Sequence, residues 1–170
     1  MYQLILTIQC VSIIVLFVEC WVVFKNWKNI LHGYLFLSCA ATLVNSMGYL
    51  LELTALTEDA YFTALRLSYI GRVWTPFALL LFVMELIRVR VPRPLKAVLA
   101  LFSVSTYVAV LTTKYTGLYY QTKTSFSRVG EFRVFHHANG VWHHVYTVVL
   151  ALYTIATLFH GALDMSLHRA

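Results

Sequence analysis

The chain has 170 residues, of which 60% are hydrophobic and only 12% charged. Soluble domains run at roughly 45–50% apolar and about 25% charged, so this composition excludes an ordinary soluble globular protein. The net charge of +6 does not point to nucleic acid, because most bases fall in short gaps between long apolar stretches, where they orient helices against a membrane.

About 20 apolar residues cross a bilayer core as one helix, and five segments meet that length or come near it. The first covers 4–24 and is interrupted only by Glu19. It has no basic leader and no small-residue cleavage site before the next charges, so it reads as a retained span. Cys10, Cys20 and Cys39 all sit in apolar stretches. An odd number with none in a loop predicts reduced, buried thiols and not a disulfide framework.

The second span covers 30–53 and carries no charge before Glu52. Asn45, Tyr49 and Glu52 are spaced i, i+4, i+7 and share one helical face. The third span covers 60–87 and holds Arg66, Arg72, Pro76 and Glu85. Tyr69, Arg72 and Pro76 share a face by the spacing i, i+3, i+7. Arg72 lies about 12 residues, or roughly 18 Å, into its helix. At that depth its charge should face the bundle interior or a water-filled cavity, with a partner, and Glu52 is one candidate. The two polar stripes either line a ligand pocket or hold the helices together. Adhesion alone rarely needs an arginine, which favours the pocket. Pro76 is predicted to kink the helix and act as a hinge. Arg88, three residues after Glu85, predicts an ion pair at the membrane surface.

Pro92 and Pro94 punctuate the next gap, and a shorter fourth span covers 95–113. The loop at 114–140 shows partial alternation over Ser125–Val129 and Glu131–Phe135 around Gly130. It predicts a small β-hairpin, with an irregular loop carrying aromatic anchors as the alternative. The fifth span covers 141–163. His136, His137, His143 and His144 gather at its start. Adjacent helical residues point about 100° apart, so His143 and His144 cannot chelate one metal as a pair. A bridge from His136 or His137 to one of them is geometrically possible. With no acid cluster or cysteine pair beside them, these histidines are read as interfacial anchors, and neither metal nor cofactor is expected.

The fold class is therefore all-α: a polytopic membrane helix bundle of about five transmembrane helices in a single domain over 1–170. Lys25 and Lys28 fill the first gap, and Arg88, Arg90, Arg93 and Lys96 the third, whereas the second holds Glu58 and Asp59. The positive-inside rule then places the N-terminus outside and the C-terminus in the cytoplasm of the cell membrane. The loop at 114–140 would lie outside despite Lys114, Lys123, Arg128 and Arg133, which are dispersed along it. P-loop, G-x-S-x-G, H-E-x-x-H and dinucleotide motifs are absent, so no enzyme activity is expected.

Four local patterns occur in order. Asn45-Ser46-Met47-Gly48-Tyr49-Leu50-Leu51-Glu52 closes the second span. Leu67-Ser68-Tyr69-Ile70-Gly71-Arg72 leads to Pro76 and Leu80-Leu81-Phe82. Tyr115-Thr116-Gly117-Leu118-Tyr119-Tyr120 follows the fourth span, and Gly140-Val141-Trp142-His143-His144-Val145-Tyr146 opens the fifth. From the second span onwards the chain resembles the N-terminal seven-transmembrane sensor region of bacterial histidine kinases, also found fused to diguanylate cyclases. The resemblance implies an outside N-terminus and an input domain that signals to a cytoplasmic effector, a kinase or cyclase, in cis or in trans, with a homodimer as the working state. The chain departs from the family in ending after the fifth span, where two more helices and the effector would follow. The segment from Asp164 to Ala170 reads as an inner loop, so an N-terminal portion of a larger sensor region is expected, with a natural five-span protein as the alternative.

The leading reading is a sensor module in the lipid bilayer that binds a small ligand from the outer side. Its candidate site comprises Asn45, Tyr49, Glu52, Tyr69, Arg72, Trp142, His143 and Tyr146, with Pro76 as hinge. A small-molecule binding or transport protein is the alternative, although the internal repeats common in transporters are missing. A haem or quinone redox protein stands lower, since histidines at facing depths are not evident. A retinal protein is disfavoured because no lysine lies inside a span.

Overall fold

The computed structural model describes residues 2–129 and 132–167. In chain order it contains α1 (Tyr2–Lys25), α2 (Ile30–Thr54), α3 (Glu58–Leu86), α4 (Arg93–Leu111), the single turn α5 (Thr113–Thr116), β1 (Tyr120–Val129), β2 (Phe132–Asn139) and α6 (Val141–Leu167). Five of these helices are long and apolar enough to cross a membrane: α1 to α4, and α6 over Val141–Phe159. They correspond one to one with the five predicted spans. Two ends differ. The fourth helix stops at Leu111, and residues 164–167, expected in an inner loop, continue α6. His168, Arg169 and Ala170 lie outside the described residues.

The helix ends have local causes. Asn29 caps α2, its side-chain oxygen accepting the His32 N–H at 3.1 Å. Thr57 caps α3 in the same way through Ala60 N–H at 3.2 Å, and Glu58 and Asp59 complement the positive end of its dipole. Three residues therefore suffice to reverse the chain between α2 and α3. At its other end α3 stops because Arg88 adopts a left-handed φ of 59°. This conformation takes Arg88 off the helical face it would share with Glu85. The predicted ion pair is absent, and only the Arg88 N–H contacts Glu85, at its carbonyl, 3.1 Å away.

The packing is centred on α3, which touches α2, α4 and α6, while α1 rests chiefly on α2. Leu65, Tyr69, Val73, Ala78 and Leu81 of α3 are buried. By contrast Ile8, Ile14, Phe17 and Trp21 of α1 are more than half exposed, a surface intelligible only with lipid as solvent. The α2–α3 contact is backbone to backbone. A Cβ on Gly48 would stand 2.3 Å from Ser68 N, and one on Gly71 would stand 2.0 Å from the Ala41 carbonyl oxygen. Such small residues let membrane helices approach closely, where dispersion and short polar contacts replace the hydrophobic effect.

The predicted hairpin is present and longer than the alternating segments. The antiparallel strands pair from Val129↔Phe132 to Tyr120↔Asn139, with an irregularity between Tyr120 and Thr124. Gly130, expected between the strands, and Glu131, expected to open the second alternating segment, lie outside the described residues. The root of the hairpin is sewn to the bundle: Gly140 N–H donates to Tyr119 O at 2.8 Å and Trp142 N–H to Leu118 O at 3.1 Å. A Cβ at Gly140 would collide with the Leu118 carbonyl oxygen at 2.2 Å.

Because the atom facing Gly71 is backbone, Gly71→Ala has to push α2 and α3 apart. The expected cost is that of overpacking, about 1–3 kcal/mol, read as a lower midpoint of thermal unfolding in detergent. At Gly33 the only near neighbour is the Trp27 indole, at 3.0 Å, so Gly33→Ala should cost less.

Candidate functional site

The α2–α3 contact brings the two polar stripes face to face. Arg72 Nε–H donates to Asn45 Oδ1 at 3.2 Å, and the guanidinium carbon stands 4.6 Å from the centre of the Tyr69 ring, a cation–π distance. Glu52 is not the ion-pair partner expected for Arg72. It accepts a short hydrogen bond from the Ser68 hydroxyl, one helical turn nearer the α2–α3 connection. Arg72 is half-buried, and among the described residues it has no carboxylate at ion-pair distance.

From Tyr69 the network passes to the hairpin. The Tyr69 and Tyr120 hydroxyls share a hydrogen bond of 2.7 Å. Tyr119, fully buried, presents its ring to Tyr69 at 5.1 Å and to Tyr120 at 4.9 Å, both edge to face. His143 of α6 meets Tyr119 at 5.2 Å, and His137 of β2 meets Tyr120 at 3.8 Å. The Tyr119 hydroxyl and His143 Nδ1 are buried and have no hydrogen-bond partner among the described residues. Burial pushes the Tyr119 and Tyr120 phenols well above their usual range, and the neighbouring Tyr69 adds to the effect. Both therefore remain neutral donors across physiological pH.

Pro76 explains a further contact. A proline lacks the N–H that would bond the carbonyl four residues earlier, which here belongs to Arg72. Tyr146 of α6 supplies the missing donor, its hydroxyl lying 3.0 Å from Arg72 O. The Tyr146 ring stacks on Phe102 of α4 at 6.4 Å and 17°, and Trp142 stacks on the same ring at 6.0 Å and 24°. Trp142 Nε1–H donates to Thr106 Oγ1 at 3.2 Å.

The structure thus brings Asn45, Tyr69, Arg72, Pro76 and Tyr146 together, with His143 at the edge and Glu52 one turn away. Trp142 turns to α4, and Tyr49 is 40% exposed on the outside of α2. Ser68, Tyr119, Tyr120 and Thr106 were not among the expected site residues. They carry no charge, and their place is set by contacts distant in sequence. His136 faces Ser127 across the hairpin, Nε2 to Oγ 2.7 Å. Among the described residues no three His, Cys, Asp or Glu side chains are grouped to hold a metal ion.

Five apolar helices with an arginine network between them define a multi-pass membrane protein, and the hairpin at one end completes its layout. The chain matches the family described as the N-terminal 7TM region of histidine kinase over residues 8–169, and it belongs to that family. The match extends into α1, beyond the resemblance that began at the second span. This region is a sensory input region and not a catalytic domain. No curated protein and no solved structure matches the chain.

A double-mutant cycle tests the Pro76–Tyr146 relation. Tyr146→Phe leaves the Arg72 carbonyl without a donor and should cost roughly 1 kcal/mol in the parent, the scale of an interhelical hydrogen bond in membranes. In the Pro76→Ala background the helix bonds that carbonyl itself, so the same change should be nearly neutral. Unfolding midpoints of the four proteins in detergent give the coupling directly.

Proposed function

We propose that the chain is the input module of a signalling protein and that it binds a small anionic ligand at Arg72. The observation that carries this reading is the half-buried guanidinium between α2, α3 and the hairpin, with no carboxylate at ion-pair distance among the described residues. Such a group matches a carboxylate or phosphate. The neighbours are suited to detect one. Asn45 fixes the guanidinium from α2, Tyr69 and Tyr120 connect it to the hairpin, and Tyr146 connects its backbone to α6.

A ligand that draws Arg72 away from Tyr69 and Asn45 favours a different arrangement of α2, α3 and α6. Only this difference in affinity between two arrangements shifts their populations. Pro76, which frees the Arg72 carbonyl that Tyr146 of α6 takes as acceptor, is the hinge through which α3 moves. The altered helix ends act on a cytoplasmic effector, a kinase or cyclase in cis or in trans, within a homodimer. Ligand enters from outside, past the hairpin, and the N-terminus also faces outside, the orientation that the positive-inside rule favours for the bases Lys25, Lys28, Arg88, Arg90, Arg93 and Lys96.

Small carboxylates and phosphates are the probes. One that binds should raise the unfolding midpoint of the purified protein, by about 2.7 kcal/mol of stabilisation at a hundredfold excess over Kd. Arg72→Gln should abolish the shift and Asn45→Ala should weaken it. In a complete sensor carrying this input region, both changes should blunt the response while membrane insertion persists; variants that respond as the parent does would place the ligand elsewhere.

Topology is tested separately. With Gln121→Cys an impermeant maleimide should label intact cells, whereas Lys28→Cys should react only after permeabilisation. The reverse pattern would invert the orientation and put the hairpin in the cytoplasm.

A further inference from the structure

At the opposite end of the bundle from the hairpin, α3, α4 and α6 do not close on one another. A cavity of about 530 Å³ remains, walled by Leu80 and Met84 of α3, Leu99 and Phe102 of α4, and Leu152 and Ala156 of α6. Its volume is in the range of small-molecule sites. The wall runs from the α3–α4 linker to Phe102, nine residues into α4, which is about 14 Å at 1.5 Å per residue. That is close to the depth of one leaflet of a bilayer with a hydrocarbon core of about 30 Å.

The two ends of the cavity differ in chemistry. Arg90 lines it at the linker end. Arg93, three residues further on, opens α4, whose first turn contains no acid and whose N-terminus has no side-chain cap. Among the described residues neither arginine has a hydrogen-bond or ion-pair partner. The other charges nearby are engaged elsewhere. Lys96 donates to Tyr34 of α2 at 2.8 Å, and Glu85 lies with Arg88 in a different cleft, against the start of α2. Among the described residues no acidic side chain therefore pairs with Arg90 or Arg93. In the same cleft the Tyr153 hydroxyl is buried with no hydrogen-bond partner among the described residues.

We infer that this cleft is a site for an anionic phospholipid, with one acyl chain between α3, α4 and α6 and the phosphate held by Arg90 and Arg93. An apolar slot one leaflet deep, opening beside the positive end of a helix and two guanidiniums that have no acidic partner among the described residues, is complementary to that molecule: guanidinium forks fit phosphate, and the walls fit hydrocarbon. Phe102, which forms the inner end of the slot, is also the ring on which Trp142 and Tyr146 stack. An acyl chain seated there abuts the same aromatic group that holds Tyr146 against α3, so lipid occupancy bears on the Arg72 region without sharing its ligand.

The test is native mass spectrometry of the full chain in detergent, with phosphatidylglycerol and phosphatidylcholine supplied in equal amounts. One phosphatidylglycerol should be retained in preference. Arg90→Gln and Arg93→Gln should each lower its retention about fivefold, the effect of one basic residue at a lipid surface. Ala156→Trp, which fills the slot, should remove it. Equal retention of the two lipids overturns the proposal in favour of unspecific boundary lipid, and full retention by Ala156→Trp reduces it to surface charge. A lipid-free dimer that Ala156→Trp converts to a monomer would mean that a second copy occupies the cleft. Should Ala156→Trp not fold, the two arginine variants, altered at exposed positions in the α3–α4 linker and at the first residue of α4, still decide between specific and unspecific binding.

Discussion

The contact of α2 with α3 at Gly48 and Gly71 sets the geometry on which the rest of the molecule depends. In a bilayer no hydrophobic force drives helices together, so the distance at which they meet is fixed by the side chains between them. With hydrogen in place of methyl at these two positions the backbones touch. At that separation short groups such as Asn45 and Ser68 reach across to Arg72 and Glu52. A wider gap would leave a half-buried guanidinium and a carboxylate without those bonds, each costly away from water. Packing and polar satisfaction are thus one constraint met by the same four helical turns.

A second constraint links the bundle to its hairpin. Pro76 frees one carbonyl inside α3, and the donor that takes it comes from Tyr146, a residue seven positions after the end of the hairpin strand β2 at Asn139. The other strand begins at Tyr120, bonded to Tyr69. Both roots of the hairpin therefore end in phenols that contact α3 within two turns of one another. Displacement of the hairpin cannot leave α3 unaffected, and a bend at Pro76 is felt at the hairpin roots.

The spans were legible because length and absence of charge are properties of a helix in lipid that no neighbour has to supply. Strand alternation announced the hairpin, though not its extension to Tyr120 and Asn139. Periodicity also showed that Asn45 and Glu52 share a face, and that Arg72 needs a partner. It gave no axial offset between helices. The register in which Gly48 meets Ser68 sets Asn45 opposite Arg72 and carries Glu52 towards the turn. A stripe spaced i, i+4, i+7 spreads over about 60° of the helix, enough for Tyr49 to fall on the lipid side. Arg88 could not be foreseen at a left-handed φ, since nothing in its type asks for one. Tyr119 and Tyr120 were quoted as part of a pattern without a role, because their neighbours lie some 50 residues earlier in the chain.

The short connection between Thr54 and Glu58 bears on biosynthesis. An α3 leaving the translocon alone would present Arg66 and Arg72 to hydrocarbon, at about 2.5–3.5 kcal/mol for an arginine near the helix centre. With only three residues separating it from α2, it emerges beside a helix that already carries Asn45 and the glycine at 48. The unit handed to the lipid is then a preassembled helical pair, and the energetic problem posed by the arginine is resolved before the later helices are synthesised.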